Sequence, residues 1–474
     1  MRGMQDDELH YLELREVADL IASRRISSEG LTRALLDRVH GLDDLQSYVQ
    51  VMSESAMASA RLADEELARG HSRGALHGVP IAVKDIFQIE GEGTAAGMSI
   101  KASAVAQSDA TVIRRLRGAG AVILGRLTLT EGAYAEHRAP YRAPTNPWNG
   151  ECWSGASSSG SAVAVAAGLA FAALASETGG STKLPSAANG VTGIKPTWGR
   201  VSRHGVFELA ASLDHVGIIA RSATDLAIML GAVAGSDRLD PTAVQLAVPD
   251  YFALLGKPLD GLKIGVDQMW THDGVDRSVS EALEGAVEVL KDLGAQVVQV
   301  TLPKATGVIH DWFGICAVQA ALAHEATFPA QQAEYGPALT ALLNLGHRIP
   351  GIELQRLLTR RDIFRGQMNT VLQQVDVLAL PVMSVPVPSI ERMSRIDEEM
   401  ILALHRFTCP FTMSGHPGVV MPCGFTARRT PIAFQLVGRH FAEQTLLNVG
   451  YHFQSATDWH RVHPSLSTRP GRSA

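Results

Sequence analysis

The sequence predicts an α/β protein, and three observations carry that reading. Leu262–Val266 and Gln296–Val300 are short apolar runs with a helical stretch, Ser278–Leu293, between them. Such a strand–helix–strand unit pairs its strands in parallel through a crossover. Five more apolar runs are of strand length: Pro80–Ile86, Ala121–Leu124, Val377–Pro381, Gly418–Met421 and Ile432–Val437. Helical periodicities lie among them throughout the chain.

Taken in order, residues 12–70 read as helices. Val17, Leu20 and Ile21 precede a break at Arg24–Ser28, and Leu31, Ala34, Leu35, Leu36 and Val39 then recur at helical spacing. Ser53–Gly70 is a third helix, rich in Ala and Glu and stopped by Gly70. In Gly78–Phe87, GVPIAVKDIF, the pattern changes to a buried strand that contains Lys84 and Asp85. Lys84 sits among Ile81, Ala82, Val83 and Ile86. Either it ends the strand and reaches solvent, or it is a desolvated amine. Burial disfavours the ammonium form, and a neutral lysine can act as a base. Asp109–Leu116 is helical, ended by Gly118-Ala119-Gly120, and the strand Ala121–Leu124 follows.

Cys152–Asn189 holds two hydroxyl-rich turns, Gly155–Ser161 and Thr178–Ser181. The apolar run Ala162–Ala175 between them is long enough for a buried helix and a strand. Ser/Gly-rich stretches are commonly flexible linkers. Apolar flanks oppose that reading here, because they hold the turns inside a core. Glycine lets backbone N–H groups approach a ligand closely, so two such turns suit a serine nucleophile beside donors for an oxyanion. Beyond them, Gly193–Gly199 and Ser212–Arg221 read as turn-rich and apolar. Leu226–Val233 is helical, 303–374 is mainly helical, Glu443–Gln454 closes as a helix, and disorder is expected after Ser465.

Bulk properties exclude several classes. The chain has 474 residues, 46% hydrophobic and 19% charged, with a net charge of −6. That balance implies neither nucleic-acid nor anionic-membrane affinity. The four cysteines, Cys152, Cys316, Cys409 and Cys423, are far apart with no CxxC, so no disulfide framework or zinc site is indicated. The opening MRGMQDDELHYLELRE is too charged for a secretory segment, and no apolar run reaches the roughly 20 residues of a spanning helix. A cytoplasmic protein is expected. GAGAVILG places its glycines before a strand rather than after it, and GxxxxGK[ST], HExxH and GxSxG are missing.

Together, GVPIAVKDIF (78–87), DATVIRRLRGAGAVILGR (109–126), NPWN (146–149), GASSSGSA (155–162), ETGGSTKLPSAANGVTGIKPTWGRVS (177–202), SLDHVGIIAR (212–221) and PIAFQLVGRHF (431–441) resemble the amidase signature family of serine amidases. The resemblance implies one large α/β domain over 1–474: a mixed central sheet covered by helices on both faces. Within it would lie an N-terminal helical segment (1–70), a signature core (71–235) and a substrate wall (303–400).

The resemblance also implies a Ser–Ser–Lys triad, with Ser181 as nucleophile, Ser157 as bridging serine and Lys84 as base. The 24 positions between the two serines fit the family and select Ser157 over Ser158 and Ser159. Thr178, Gly179, Gly180 and Ser181 would form the oxyanion hole. A cis peptide is implied at Ala156–Ser157. Glu177 and Lys183 stand where the family commonly has Asp and Arg, and would flank the nucleophile as a pair. Ser159 replaces a family glycine. His137, His204, His215 and His416 are expected to be structural or pocket-lining.

The implied function is hydrolysis of a small-molecule amide, anilide or carbamate through an acyl-enzyme, without metal or cofactor. The wall's apolar helices suggest an uncharged acyl or aryl group. No nucleic-acid or membrane partner is expected, and a homodimer is compatible with this reading. One alternative is the glutaminase component of a glutamyl-tRNA(Gln) amidotransferase; another is a non-catalytic binding protein on the same fold.

Overall fold

The computed structural model describes residues 6–101 and 104–466. The disorder expected after Ser465 concerns residues that, from 467 on, lie outside the described ones. The strands are β1 (Tyr48–Val51), β2 (Pro80–Lys84), β3 (Val122–Leu127), β4 (Ala172–Glu177), β5 (Thr192–Lys195), β6 (His215–Ala220), β7 (Lys263–Val266), β8 (Gln296–Gln299), β9 (Val377–Pro381), β10 (Gly418–Phe425) and β11 (Pro431–Gly438). Among the described residues they form a single eleven-stranded sheet in the order β1-β3-β2-β4-β6-β5-β10-β11-β9-β7-β8.

The sheet is mixed. β2 runs parallel to both β3 and β4, and β7 runs parallel to β8 and β9. The remaining pairings are antiparallel. The expected strand–helix–strand unit is present: helix Arg277–Asp292 connects β7 to β8, which pair from Lys263 opposite Gln296. Every residue of β2, β3, β4, β5, β6, β9 and β11 is buried. A strand whose two faces are both covered reads as a continuous apolar run rather than an alternation, which is why β2, β3, β9 and β11 stood out.

Two central strands read differently in the sequence. Gly193–Gly199 and Ser212–Arg221 read as turn-rich, yet they contain β5 and β6 at the middle of the sheet. Their glycines are there for close packing. A Cβ on Gly217 would meet Thr182 Oγ1 at 2.2 Å, and one on Gly193 would meet Ser186 Oγ at 2.2 Å. Helix Lys183–Asn189 therefore lies almost directly on the sheet.

The main core joins the N-terminal helices to this sheet. A second apolar cluster is built on helices Thr306–Ala323, Pro337–Arg348 and Gly351–Leu372, with Phe407 and Phe411 completing it. These helices agree with the helical reading of 303–374. None of the described helices is long and apolar enough to cross a membrane.

Candidate active site

β2 and β4 are parallel neighbours, paired at Ala82–Ala173 and Val83–Leu174. Their C-terminal ends therefore come out side by side. β2 ends on Lys84, and β4 ends on Ser176 and Glu177. Successive strand residues point to opposite faces. Ser176 turns toward Lys84, and Glu177 turns toward helix Lys183–Asn189.

Lys84 does not reach solvent; it is wholly buried. Its Nζ lies 2.8 Å from Ser157 Oγ, 2.9 Å from Ser158 Oγ and 2.9 Å from Ser176 Oγ. Burial brings its pKa down from 10.5 to about 7, against the upward pull of Asp214 and Glu177. The Ala156–Ser157 peptide is cis. The Ser158 hydroxyl donates to Ser176 O at 3.2 Å. With its proton so placed, Ser158 Oγ can only accept from Lys84. A neutral amine has two N–H donors and one lone pair. Three hydroxyls around Nζ match that set, and Ser157 can be the one that donates to the lone pair.

Ser181 lies on the second turn, and its carbonyl accepts the Ser158 N–H at 3.3 Å, so the two turns abut. Ser157, Ser158, Ser159, Ser161 and Ser176 are buried, whereas Ser181 is half-buried. The N–H groups of Gly179, Gly180 and Ser181 meet no acceptor among the described residues. Both glycines are sterically required. A Cβ on Gly179 would stand 2.4 Å from Trp312 Cζ2. Gly180 has φ of 144°, and a Cβ there would stand 2.7 Å from Thr408 Oγ1.

Glu177 and Lys183 do pair, with Nζ 3.4 Å from Oε1 and both side chains fully buried. The other oxygen, Oε2, accepts the N–H groups of Thr182 at 3.2 Å and Lys183 at 3.1 Å. Thr412 Oγ1 donates to Oε1 at 3.2 Å. The carboxylate thus ties the end of β4 to the start of the next helix. Burial lowers the Lys183 pKa, and Glu177 opposes that shift. Lysine gives a single long contact here rather than the bidentate fork an arginine would offer. A double-mutant cycle with Glu177→Gln and Lys183→Met should show a coupling of about 1–3 kcal/mol in stability, since removing one partner strands the other charge. Zero coupling would show that the two act independently.

Sequence reasoning overlooked Ser158 and Ser176 as lysine partners, and it overlooked Asp214. The Asp214 carboxylate accepts Thr178 Oγ1–H at 2.6 Å and the N–H groups of Leu209 and Ala210 at 2.9 and 3.0 Å. Burial still raises its pKa to about 6. The usable signal was adjacency: Ser158 follows the bridging candidate, and Ser176 lies one residue before Glu177. Among the described residues, none of His137, His215 and His416 bonds Lys84, Ser157 or Ser181. His215 Nδ1 lies 2.6 Å from Leu213 O, and His416 bonds Ser414 and Asn369. His137 Nε2 lies 2.9 Å from Ser159 Oγ, the hydroxyl that replaces a family glycine. No group of metal-ligating side chains occurs among the described residues.

The family model described as Amidase matches residues 30–447. The chain belongs to the amidase family. It is 45% identical over 466 residues to AmiD of Mycobacterium tuberculosis strain H37Rv, covering 98% of each chain. It is 35% identical over 484 residues to a glutamyl-tRNA(Gln) amidotransferase component of Geobacter sp. strain M21, covering 96% of this chain and 99% of that one. The crystal structure of the peptide amidase from Stenotrophomonas maltophilia superposes with a TM-score of 0.83 at 28% identity, over 94% of this chain and 96% of that one. The large mixed sheet with helices around it is the architecture of that amidase, and the chain is an amide-hydrolysing enzyme.

Proposed function

We propose that this amidase cleaves the C–N bond of a small amide, anilide or carbamate through an acyl-enzyme on Ser181, with Ser157 and Lys84 as its proton relay. Neutral Lys84 takes a proton from Ser157, Ser157 takes one from Ser181, and Ser181 Oγ attacks the acyl carbonyl. The N–H groups of Thr178, Gly179, Gly180 and Ser181 receive the oxyanion; losing one such donor typically costs about 3–4 kcal/mol. Run backwards, the relay protonates the departing nitrogen, which could not leave as an anion. Water then attacks the acyl-enzyme by the same route and releases the acid and Ser181.

The observation that carries this reading is the wholly buried Lys84 amine, with a pKa of about 7, lying 2.8 Å from Ser157 Oγ. The apolar cluster built on helices Thr306–Ala323, Pro337–Arg348 and Gly351–Leu372 supports an uncharged acyl or aryl group on the 303–400 side. The higher identity to AmiD, which is named "Putative amidase AmiD", than to the amidotransferase component favours hydrolysis by the chain alone. The test is a panel of amides, anilides, carbamates and ureas, with acyl chains of differing charge, given to the purified chain. Turnover of uncharged substrates is expected. Glutaminase activity that appears only with partner proteins would overturn the stand-alone reading, and a preference for charged acyl chains would overturn the apolar one. A chain that turns over nothing and does not react with a fluorophosphonate would be a binding protein.

A further inference from the structure

The turn that carries Ser181 is gripped from behind by residues far away in the sequence. Trp312, on helix Thr306–Ala323, donates its Nε1–H to Thr178 O at 2.6 Å. Thr408, at the start of helix Cys409–Met413, donates its hydroxyl to Gly179 O at 2.6 Å. His405 Nδ1 and Cys409 Sγ reach the same oxygen at 3.2 and 3.3 Å. Trp312 and Thr408 are both buried, and the Trp312 ring is stacked on His405 with centroids 5.4 Å apart.

Peptide planarity gives these contacts a consequence. In a trans peptide the C=O and the next residue's N–H point in opposite directions. The described cis bonds all lie elsewhere, so the planes of this turn are trans. Fixing Thr178 O on Trp312 aims the Gly179 N–H away from Trp312. Fixing Gly179 O on Thr408 likewise aims the Gly180 N–H away from Thr408. Those two N–H groups are among the donors left without an acceptor among the described residues. The close approach of Trp312 and Thr408 is also what forbids a side chain at 179 and 180.

We propose that Trp312 and Thr408 are positioning residues for amide hydrolysis: they set two successive peptide planes so that the Gly179 and Gly180 N–H groups meet the developing oxyanion. The proposal rests on the reading of Ser181 as nucleophile. Neither residue touches the reacting atoms. Each acts through a carbonyl on the far side of the turn, so its removal loosens the transition state and leaves substrate binding alone.

The test uses the best substrate of the panel and an alkyl boronate, which becomes tetrahedral on a serine nucleophile. Thr408→Val keeps the shape of the side chain and removes the donor. Trp312→Phe keeps an aromatic ring and removes the N–H. Each should lower kcat about 10- to 100-fold with KM changed less than about 2-fold, because small misplacements of a catalytic group cost on that scale. The boronate inhibition constant should rise by the same factor as kcat falls, and Thr408→Ser should recover most of the loss. Thermal melting identifies any variant that merely unfolds. Unchanged kcat in both variants would overturn the proposal. So would equal losses in kcat, KM and melting temperature, or a Thr408→Ser variant no better than Thr408→Val. Ser181→Ala, run alongside, separates the two levels: if it still turns over, the nucleophile reading has failed instead.

Discussion

Ser181→Ala should lower kcat by at least about 10⁴-fold, the scale on which serine hydrolases lose activity without their nucleophile. The assignment does not rest on family position alone. Substrate must reach the attacking oxygen, and Ser181 is the half-buried serine of the two turns, while Ser157, Ser158, Ser159, Ser161 and Ser176 are buried. Beside it are N–H groups with no acceptor among the described residues, which is what a tetrahedral oxyanion requires. Stability should change by less than about 0.5 kcal/mol, as for a partly exposed residue outside the core. Fluorophosphonate labelling of the wild type, mapped by mass spectrometry, should fall on Ser181 and vanish in the variant. Turnover near the wild-type rate, or a label on Ser157, would overturn the assignment. Ser157→Ala should behave differently. It interrupts the relay but leaves the nucleophile in place, so a slow residual labelling of Ser181 is expected.

How much of this was legible in the sequence follows the distance between interacting residues. Lys84, Ser157, Ser181 and the 177–183 pair lie within about a hundred positions, on motifs that keep their spacing. They could be singled out as candidates because each motif is local and rich in glycine or hydroxyls, and the resemblance supplied the roles proposed for them. Trp312 and Thr408 could not be read this way. Their partners, Thr178 and Gly179, are 134 and 229 positions away. In a window of sequence, Trp312 is simply an apolar helix residue. The signal that remained was weak: His405, Thr408, Cys409 and Thr412 recur at helical intervals as polar groups in an apolar segment, and they face β4's end and the turn after it. β5 and β6 were obscured for another reason. Central strands usually announce themselves by β-branched runs. Here direct packing of helix Lys183–Asn189 requires glycine at 193 and 217, and glycine reads as a turn.

Lys84→Met should lower kcat/KM by about 10²–10⁴-fold, the contribution that general-base catalysis of this kind makes. Wild-type activity should carry the same lysine's signature in its pH dependence. The competent form is the neutral amine, and burial brings its pKa to about 7. Below that pH the group holds a proton and cannot accept one from Ser157. Activity should therefore rise about tenfold per pH unit up to about 7 and level off above it. An ordinary lysine near 10.5 would instead give a limb that is still climbing at pH 9. Asp214 offers an internal check. Its carboxylate favours the ammonium form of Lys84, so Asp214→Asn removes that pull and lowers the lysine pKa further. The midpoint of the limb should move to lower pH in that variant, whatever happens to the maximal rate through the lost Thr178 contact. A midpoint that stays near 7 would assign the limb to another group. A shift upward would contradict the electrostatics outright.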